Sequence, residues 1–151
     1  MSGALNEPFE AHDDVRIVEL DIPSDVRLIE NVVDLIRHEC EVMDFARQQL
    51  MLNVPVALSE ALSNAMLRGN GDDPDKHVHI RAEVDMYRLV VEVGDEGAGF
   101  DLDARSDDPT TPENLWREDG RGLFLMRQLM DRVERLDVPH GSVVRMTLLR
   151  A

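Results

Sequence analysis

With a single cysteine, Cys40, the chain cannot close an internal disulfide, so its stability must come from burial rather than covalent staples. That scarcity fits a reducing, cytoplasmic home, with Cys40 a small filler among apolar neighbours rather than a nucleophile. No apolar run approaches the roughly 20 residues that span a bilayer, so no membrane segment is expected. The first twenty residues carry Glu7, Glu10, Asp13 and Asp14 and lack a basic start followed by an apolar stretch, the pattern of a secretory signal. Positive charge is also scarce. Sixteen Lys and Arg stand against 31 Asp and Glu, a formal net charge of -15, the wrong sign for general attraction to nucleic acid or an anionic membrane. A polyanionic ligand must therefore be held locally, by backbone N–H groups, an arginine or two and a divalent cation. The Walker A pattern and the third glycine of a dinucleotide fingerprint are both missing, which excludes a P-loop, and there is no internal repeat.

What remains is the composition of an ordinary globular domain, 151 residues with 43% hydrophobic and 31% charged positions. Residues 1–14 read as a flexible acidic lead before a single domain over 15–151. Val15 to Ile22 alternate as a first strand that Pro23-Ser24 stops. Val26, Ile29, Val32, Val33 and Ile36 then recur at helical spacing, predicting a helix from Asp25 to about Met43 or Phe45 with Ser24 as N-cap. A second helix runs to Arg68, where Gly69-Asn70-Gly71 offers a positive-φ stop. Pro55 fits only the first turn of a helix, so Arg47 to Leu52 is expected to be a separate turn or short helix. His77 to Asp85 and Arg88 to Val93 form a hairpin without the favoured Asn-Gly. Asp101 to Asp119 shows almost no apolar periodicity and reads as a long loop, with a functional lid expected at about 101–121. Gly122 opens a helix with Leu123, Met126, Met130 and Val133 on one face. Strands follow near Val133 to Val138 and over Ser142 to Leu149, joined by an ordinary turn over Asp137 to Gly141. Strands joined by short turns cannot all be parallel, so the pattern predicts an α+β, two-layer α/β sandwich. Its mixed or antiparallel sheet is covered on one face by helices.

Three separated segments look able to build one nucleotide site. Glu60, Asn64 and Arg68 at i, i+4 and i+8 share a helix stripe that drifts only about 40 degrees per step, bordering an apolar face of Leu58, Ala61, Leu62, Ala65 and Met66. Taken alone, the stripe reads equally as a solvated helix edge. Asp95-Glu96-Gly97-Ala98-Gly99 directly follows a strand. A carboxylate there can accept a hydrogen bond from the exocyclic amine of a base, and Gly97 and Gly99 let the backbone pass the ring. Its plain alternative is a turn. Gly120-Arg121-Gly122 stands at a helix start, where free N–H groups and the helix dipole favour phosphate, and also reads as a hinge closing a long loop.

Ser59-Glu60-Ala61-Leu62-Ser63-Asn64-Ala65, the Asp95 to Asp101 box, Gly120 to Met126 and Gly141-Ser142-Val143-Val144 resemble the N, G1 and G2 boxes and closing hairpin of the GHKL ATPase superfamily. Within it, the chain is most similar to the anti-sigma-factor serine/threonine kinases, over most of Val15 to Arg150. The resemblance implies a Bergerat, histidine-kinase-like fold with an ATP site. Asn64 would ligate Mg2+, Glu60 would be the general base, and Asp95 would read the adenine amine. Gly97 and Gly99 would pass the base, and Gly120, Arg121, Gly122 and Leu123 would close over the phosphates. Arg68 replaces the family's frequent histidine or lysine and keeps the charge; Ser142 replaces a common threonine beside the adenine and keeps the hydroxyl. Since phosphoryl transfer is mostly positioning and charge neutralisation, this inventory suffices chemically.

The implied activity is phosphorylation of a serine or threonine of an anti-anti-sigma partner, with alternative sequestration of a sigma factor, usually as a homodimer. The alternative class is a non-catalytic GHKL binding module that acts by sequestration, with ATP as a conformational ligand or unused. A two-component histidine kinase is a third, weakened by the lack of room for a dimerising phosphoacceptor helix pair and kept open only by His38. The acidic lid, with seven acidic and three basic residues over 101–121, would need Arg121, N–H groups and Mg2+ to close on a triphosphate. His77 and His79 point the same way on a strand with no third metal ligand evident, so they read as a polar face. The Met-rich helix reads as core. Trp116 has no obvious core to join.

Overall fold

Apolar residues on every second position of five segments and at helical spacing on three others can be buried together only if the helices lie on one face of a sheet. The computed structural model describes residues 15–97 and 118–151, with residues 118–121 described by backbone alone. Five strands, β1 (Arg16–Pro23), β2 (His77–Val84), β3 (Arg88–Asp95), β4 (Arg132–Val138) and β5 (Gly141–Leu149), form one sheet in the order β1-β2-β3-β5-β4. All four pairings are antiparallel, which selects the antiparallel alternative of the expected sandwich. The helices are α1 (Ile29–Val42), α2 (Val54–Asn64) and α3 (Glu118–Leu129).

Strand β2 shows the logic of the layer. Val78, Ile80, Ala82 and Val84 are buried, whereas His79 and Glu83 between them are exposed. The inward residues join one core with Ile36 and Cys40 of α1, Leu58 and Leu62 of α2, Met126 of α3 and Met146 of β5. Burial pushes the Cys40 thiol up to about 12, aided by the negative charge of Glu39, which suits an inert filler. The opposite face is charged. One register row crosses all five strands as Glu19, Arg81, Glu92, Arg145 and Glu134, alternating in sign. Arg81 pairs with Glu19, and Arg145 reaches Glu92 at 2.8 Å and Glu134 at 3.8 Å. Opposite charges facing across strands favour this register and disfavour a slip.

Several local expectations change. Asp25, not Ser24, caps the first helical turn, Val26–Leu28, accepting the Arg27 N–H at 3.0 Å. Ser24 is 4% exposed and donates its hydroxyl to the Lys76 carbonyl instead. The segment before Pro55 is not separate. A π turn, Gln49–Asn53, runs straight into α2, and its wider ladder accommodates a proline that cannot donate. A second π turn, Ala65–Gly69, ends the rod, and Gly71 at φ 63° makes the expected left-handed stop.

The continuous rod Gln49–Gly69 is 21 residues long with a mean hydropathy of 1.3, long and apolar enough by those measures to cross a membrane, contrary to the expectation of no such run. Its apolar side, from Val54 through Leu58 and Leu62 to Met66, belongs to the core cluster. The hairpin lacks Asn-Gly because Asp85 does that work. Its Oδ1 accepts the N–H groups of Tyr87 at 2.7 Å and Arg88 at 2.9 Å. Helix α3 is already formed at Glu118, so Gly122 does not open it, and Val133 lies on β4 rather than on the helix. Met126 and Met130 are buried as expected. The acidic lead, Gly99, Trp116 and the lid up to residue 117 lie outside the described residues; positions 118–121, assigned to the lid, are helical.

Candidate functional site

Where β3 ends, its last residue meets three other segments. Asp95 Oδ1 accepts the N–H groups of Gly97 at 3.0 Å and Ser142 at 3.2 Å, and Oδ2 accepts the Ser142 hydroxyl at 2.9 Å. A carboxylate offers about four lone-pair sites, so three bonds orient this one and leave capacity on Oδ2 for a further donor such as an aromatic amine. The walls around it are backbone. A methyl group at Gly69 would lie 2.2 Å from Asp95 Oδ2, at Gly97 1.9 Å from the Gly69 carbonyl, and at Gly141 2.0 Å from the Asp95 carbonyl. Gly141 also sits at φ 139°, which side chains rarely adopt. These contacts show why glycine stands at the three positions: only without a Cβ there can the backbone pack directly against Asp95 and its loop.

The second half of the site lies on α2. Glu60 and Asn64 are half-buried and one turn apart. A methyl at Gly122 of α3 would lie 2.8 Å from Asn64 Nδ2 and 3.1 Å from Glu60 Oε2, so both side chains reach the same patch of α3 backbone. Helix α3 already includes Glu118 to Arg121, so Gly122 lies within the helix rather than opening it. Leu123 packs partly buried against the core. Arg68 and Asn64, with Ser63 and Leu67, line a hollow of about 220 Å³. A larger hollow of about 420 Å³, lined among others by Asp34, Arg37 and Arg47, shares no residue with this site.

Sequence reading missed what holds the Asp95 loop. Asn70, treated only as part of a helix stop, is 2% exposed. Its Oδ1 accepts the Glu96 N–H at 2.7 Å, and its Nδ2 donates to Ser24 Oγ at 2.8 Å and to the His77 carbonyl at 2.9 Å. On the outer side, Glu96 accepts the His77 N–H at 2.8 Å and lies 2.7 Å from His79 Nε2. The His77 N–H first, and then His79, hold the Glu96 carboxyl below its ordinary range. Asp21 meets His77 at 2.6 Å and His79 at 3.3 Å. The two histidines are thus paired with carboxylates, and among the described residues no group of three or more His, Cys, Asp or Glu is arranged to hold a metal. An Asn between two glycines at a helix end was the signal available, and nothing in its local pattern revealed its partners.

An open antiparallel sheet carrying helices on one face, with a carboxylate walled by glycines at a strand end and an acid–amide pair on the central helix, defines a nucleotide-binding class of domain. Residues 22–148 match the family described as histidine kinase-like ATPase domain, and the chain belongs to that family. It is 40% identical over 100 residues to serine-protein kinase RsbW of Bacillus subtilis, covering 63% of this chain and 62% of that protein. It is 33% identical over 91 residues to anti-sigma F factor of Halalkalibacterium halodurans, covering 59% of this chain and 62% of the other. The chain thus spans about three fifths of the length of these curated relatives. Its fold is similar to the structure of the RsbU and RsbW domains of Rv1364c from Mycobacterium tuberculosis. That match has a TM-score of 0.64 and 14% identity, covering 90% of this chain and 33% of the other.

Proposed function

We propose that this protein is an ATP-dependent serine/threonine kinase and anti-sigma factor. It phosphorylates an anti-anti-sigma partner and alternatively sequesters a sigma factor, working as a homodimer in the cytoplasm. Residues 15–151 act as one ATP-binding domain. The relatives named serine-protein kinase and anti-sigma F factor support both halves of this reading. The observation that carries it is the seating of Gly122 against Glu60 and Asn64 at once, which sets a potential base and a potential metal ligand against the backbone of α3.

Bound Mg-ATP would supply the γ-phosphoryl group and a cation to neutralise its charge. The chain's residues do the rest. Asp95, oriented by Ser142 and Gly97, accepts a hydrogen bond from the adenine amine. Asn64 would hold Mg2+ through its amide oxygen. Gly120, Arg121 and Gly122 close over the phosphates, and Arg68 adds positive charge from the hollow beside Asn64. Glu60 takes the proton of the partner's hydroxyl as that oxygen attacks the γ-phosphorus and the bond from the γ-phosphorus to the β,γ-bridging oxygen breaks, releasing ADP. With a net charge of -15, these local donors have to overcome the protein's own repulsion of a triphosphate.

The test is incubation of the purified chain with Mg-ATP labelled at the γ-phosphate and an anti-anti-sigma protein. Transfer to a serine or threonine is the expected result. ATP binding without transfer would make the protein a non-catalytic module that acts by sequestration, and label on His38 would make it a histidine kinase.

A further inference from the structure

We infer that Asn70 is the positioning residue for base recognition: its side-chain amide sets the height of the Asp95 loop and thereby the adenine preference of the site. The inference rests on the proposed ATP site, and it assigns a role to a residue that touches no ligand. Asn70 lies just past the π turn that ends the α2 rod, one residue after Gly69, whose Cα hydrogens face Asp95 at a distance that admits no methyl group. Its buried amide spans three chain segments. Two donor bonds tie it to Ser24 after β1 and to His77 at the start of β2, fixing the amide plane. The remaining oxygen then receives the Glu96 N–H at 2.7 Å.

That last bond is the one that matters for recognition. Glu96 stands between Asp95, whose carboxylate faces the proposed base, and Gly97, whose N–H orients that carboxylate. Without the acceptor, the part-buried Glu96 N–H loses its partner and the loop shifts toward another one. The Glu96 carboxylate is itself anchored outside by His77 and His79. The loop therefore hangs between an inner and an outer tether, and only the inner one bears directly on the peptide that follows Asp95. A positional error of about 1 Å is enough to spoil a directed hydrogen bond.

Two substitutions separate positioning from stability. Asn70→Ala removes the acceptor and both donors. Asn70→Asp keeps an acceptor for the Glu96 N–H but puts a carboxyl against Ser24 Oγ and the His77 carbonyl, so it should cost at least as much stability as Asn70→Ala. The measurements are calorimetric Kd for Mg-ATP and Mg-GTP and the thermal midpoint, on the full chain. Expected is a loss of ATP affinity of about tenfold in Asn70→Ala with a collapsed ATP-over-GTP preference, while Asn70→Asp stays within about threefold of wild type despite its lower midpoint. Ser24→Ala removes only one of the two bonds that fix the amide plane, so it should lower the midpoint and weaken ATP binding less than Asn70→Ala does. The inference is overturned if affinity follows the midpoint across the three variants, or if Asn70→Ala binds ATP as wild type does. Failure of the underlying reading looks different: wild type itself would not distinguish ATP from GTP, or Asp95→Asn would bind like wild type.

Discussion

The two ends of the candidate site are built in opposite ways. At the Asp95 end the polar groups are held in place: three bonds orient the carboxylate and leave acceptor capacity on Oδ2, Asn70 bonds through both its nitrogen and its oxygen, and Glu96 is tethered on both sides. At the Glu60 end, no side-chain hydrogen bond joins Glu60 or Asn64 to another described residue, although both press against Gly122. A group that reads a base gains from being held still before the base arrives. A base and a metal ligand need unused valences, because their partners arrive with the substrate. The difference therefore separates recognition, which is preorganised, from chemistry, which is left open.

The largest expected effect lies at the open end. Glu60→Gln should lower phosphotransfer by roughly 10²- to 10⁴-fold while Mg-ATP affinity stays within about threefold, because only proton acceptance is lost. Single-turnover transfer and calorimetry on the same preparation decide this, and an unchanged rate removes Glu60 as the base. Next is the Asp95 end. Asp95→Asn should weaken ATP binding by about ten- to a hundredfold, the worth of one charged hydrogen bond, with the stripe on α2 intact. Equal affinity for ATP in the two proteins would mean that the carboxylate serves the loop alone.

Gly122→Ala tests the contact between α2 and α3. The new methyl meets Asn64 Nδ2 at 2.8 Å, so the side chains of the open end must move, while alanine is favoured over glycine in a helix by up to about 1 kcal/mol. Activity should fall about tenfold without a matching loss of thermal stability. A parallel loss of both would show that the contact is only packing.

The smallest effect belongs to the outer tether. The Glu96 carboxyl is held below its ordinary range, so its contribution to stability is complete above the unfolded-state value near 4.5 and disappears as pH falls through the lower folded value. Thermal midpoints of wild type and Glu96→Gln should therefore differ modestly between pH 5 and 7 and converge in stronger acid. A difference that persists below about pH 3 would assign the effect to shape rather than charge.

The strand and helix boundaries that were readable are those with strong period, such as Val78 to Val84 and Leu58 to Met66, since alternation and the 3.6-residue repeat are properties of the local chain. Local errors arose where two local solutions compete. Ser24 and Asp25 are both good caps, and the choice fell to Asp25 because Ser24 is claimed by Asn70 and the Lys76 carbonyl, both more than 45 residues away. Pro55 signals a helix start from sequence, yet the π turn before it lets one rod continue, and Gln49 of that turn is buried and donates to the Leu149 carbonyl, 100 residues away. That the helix already includes Gly120 was hidden because Gly120 and Gly122 argue locally for a hinge.

Residue types and short-range spacing were sufficient to place Glu60 with Asn64 on one side of a helix, Asp95 at the end of a strand, and Ser142 beside a turn, because each relation spans only a few residues of regular backbone. That these meet was decided by the antiparallel order β1-β2-β3-β5-β4, which sets β5 against β3 and brings Ser142 to Asp95 across 47 positions of chain. The role of Asn70 is wholly of this second kind. Its amide has no local partner to betray it, and its three bonds exist only once the ends of α2, β1, β2 and β3 have been packed into one corner.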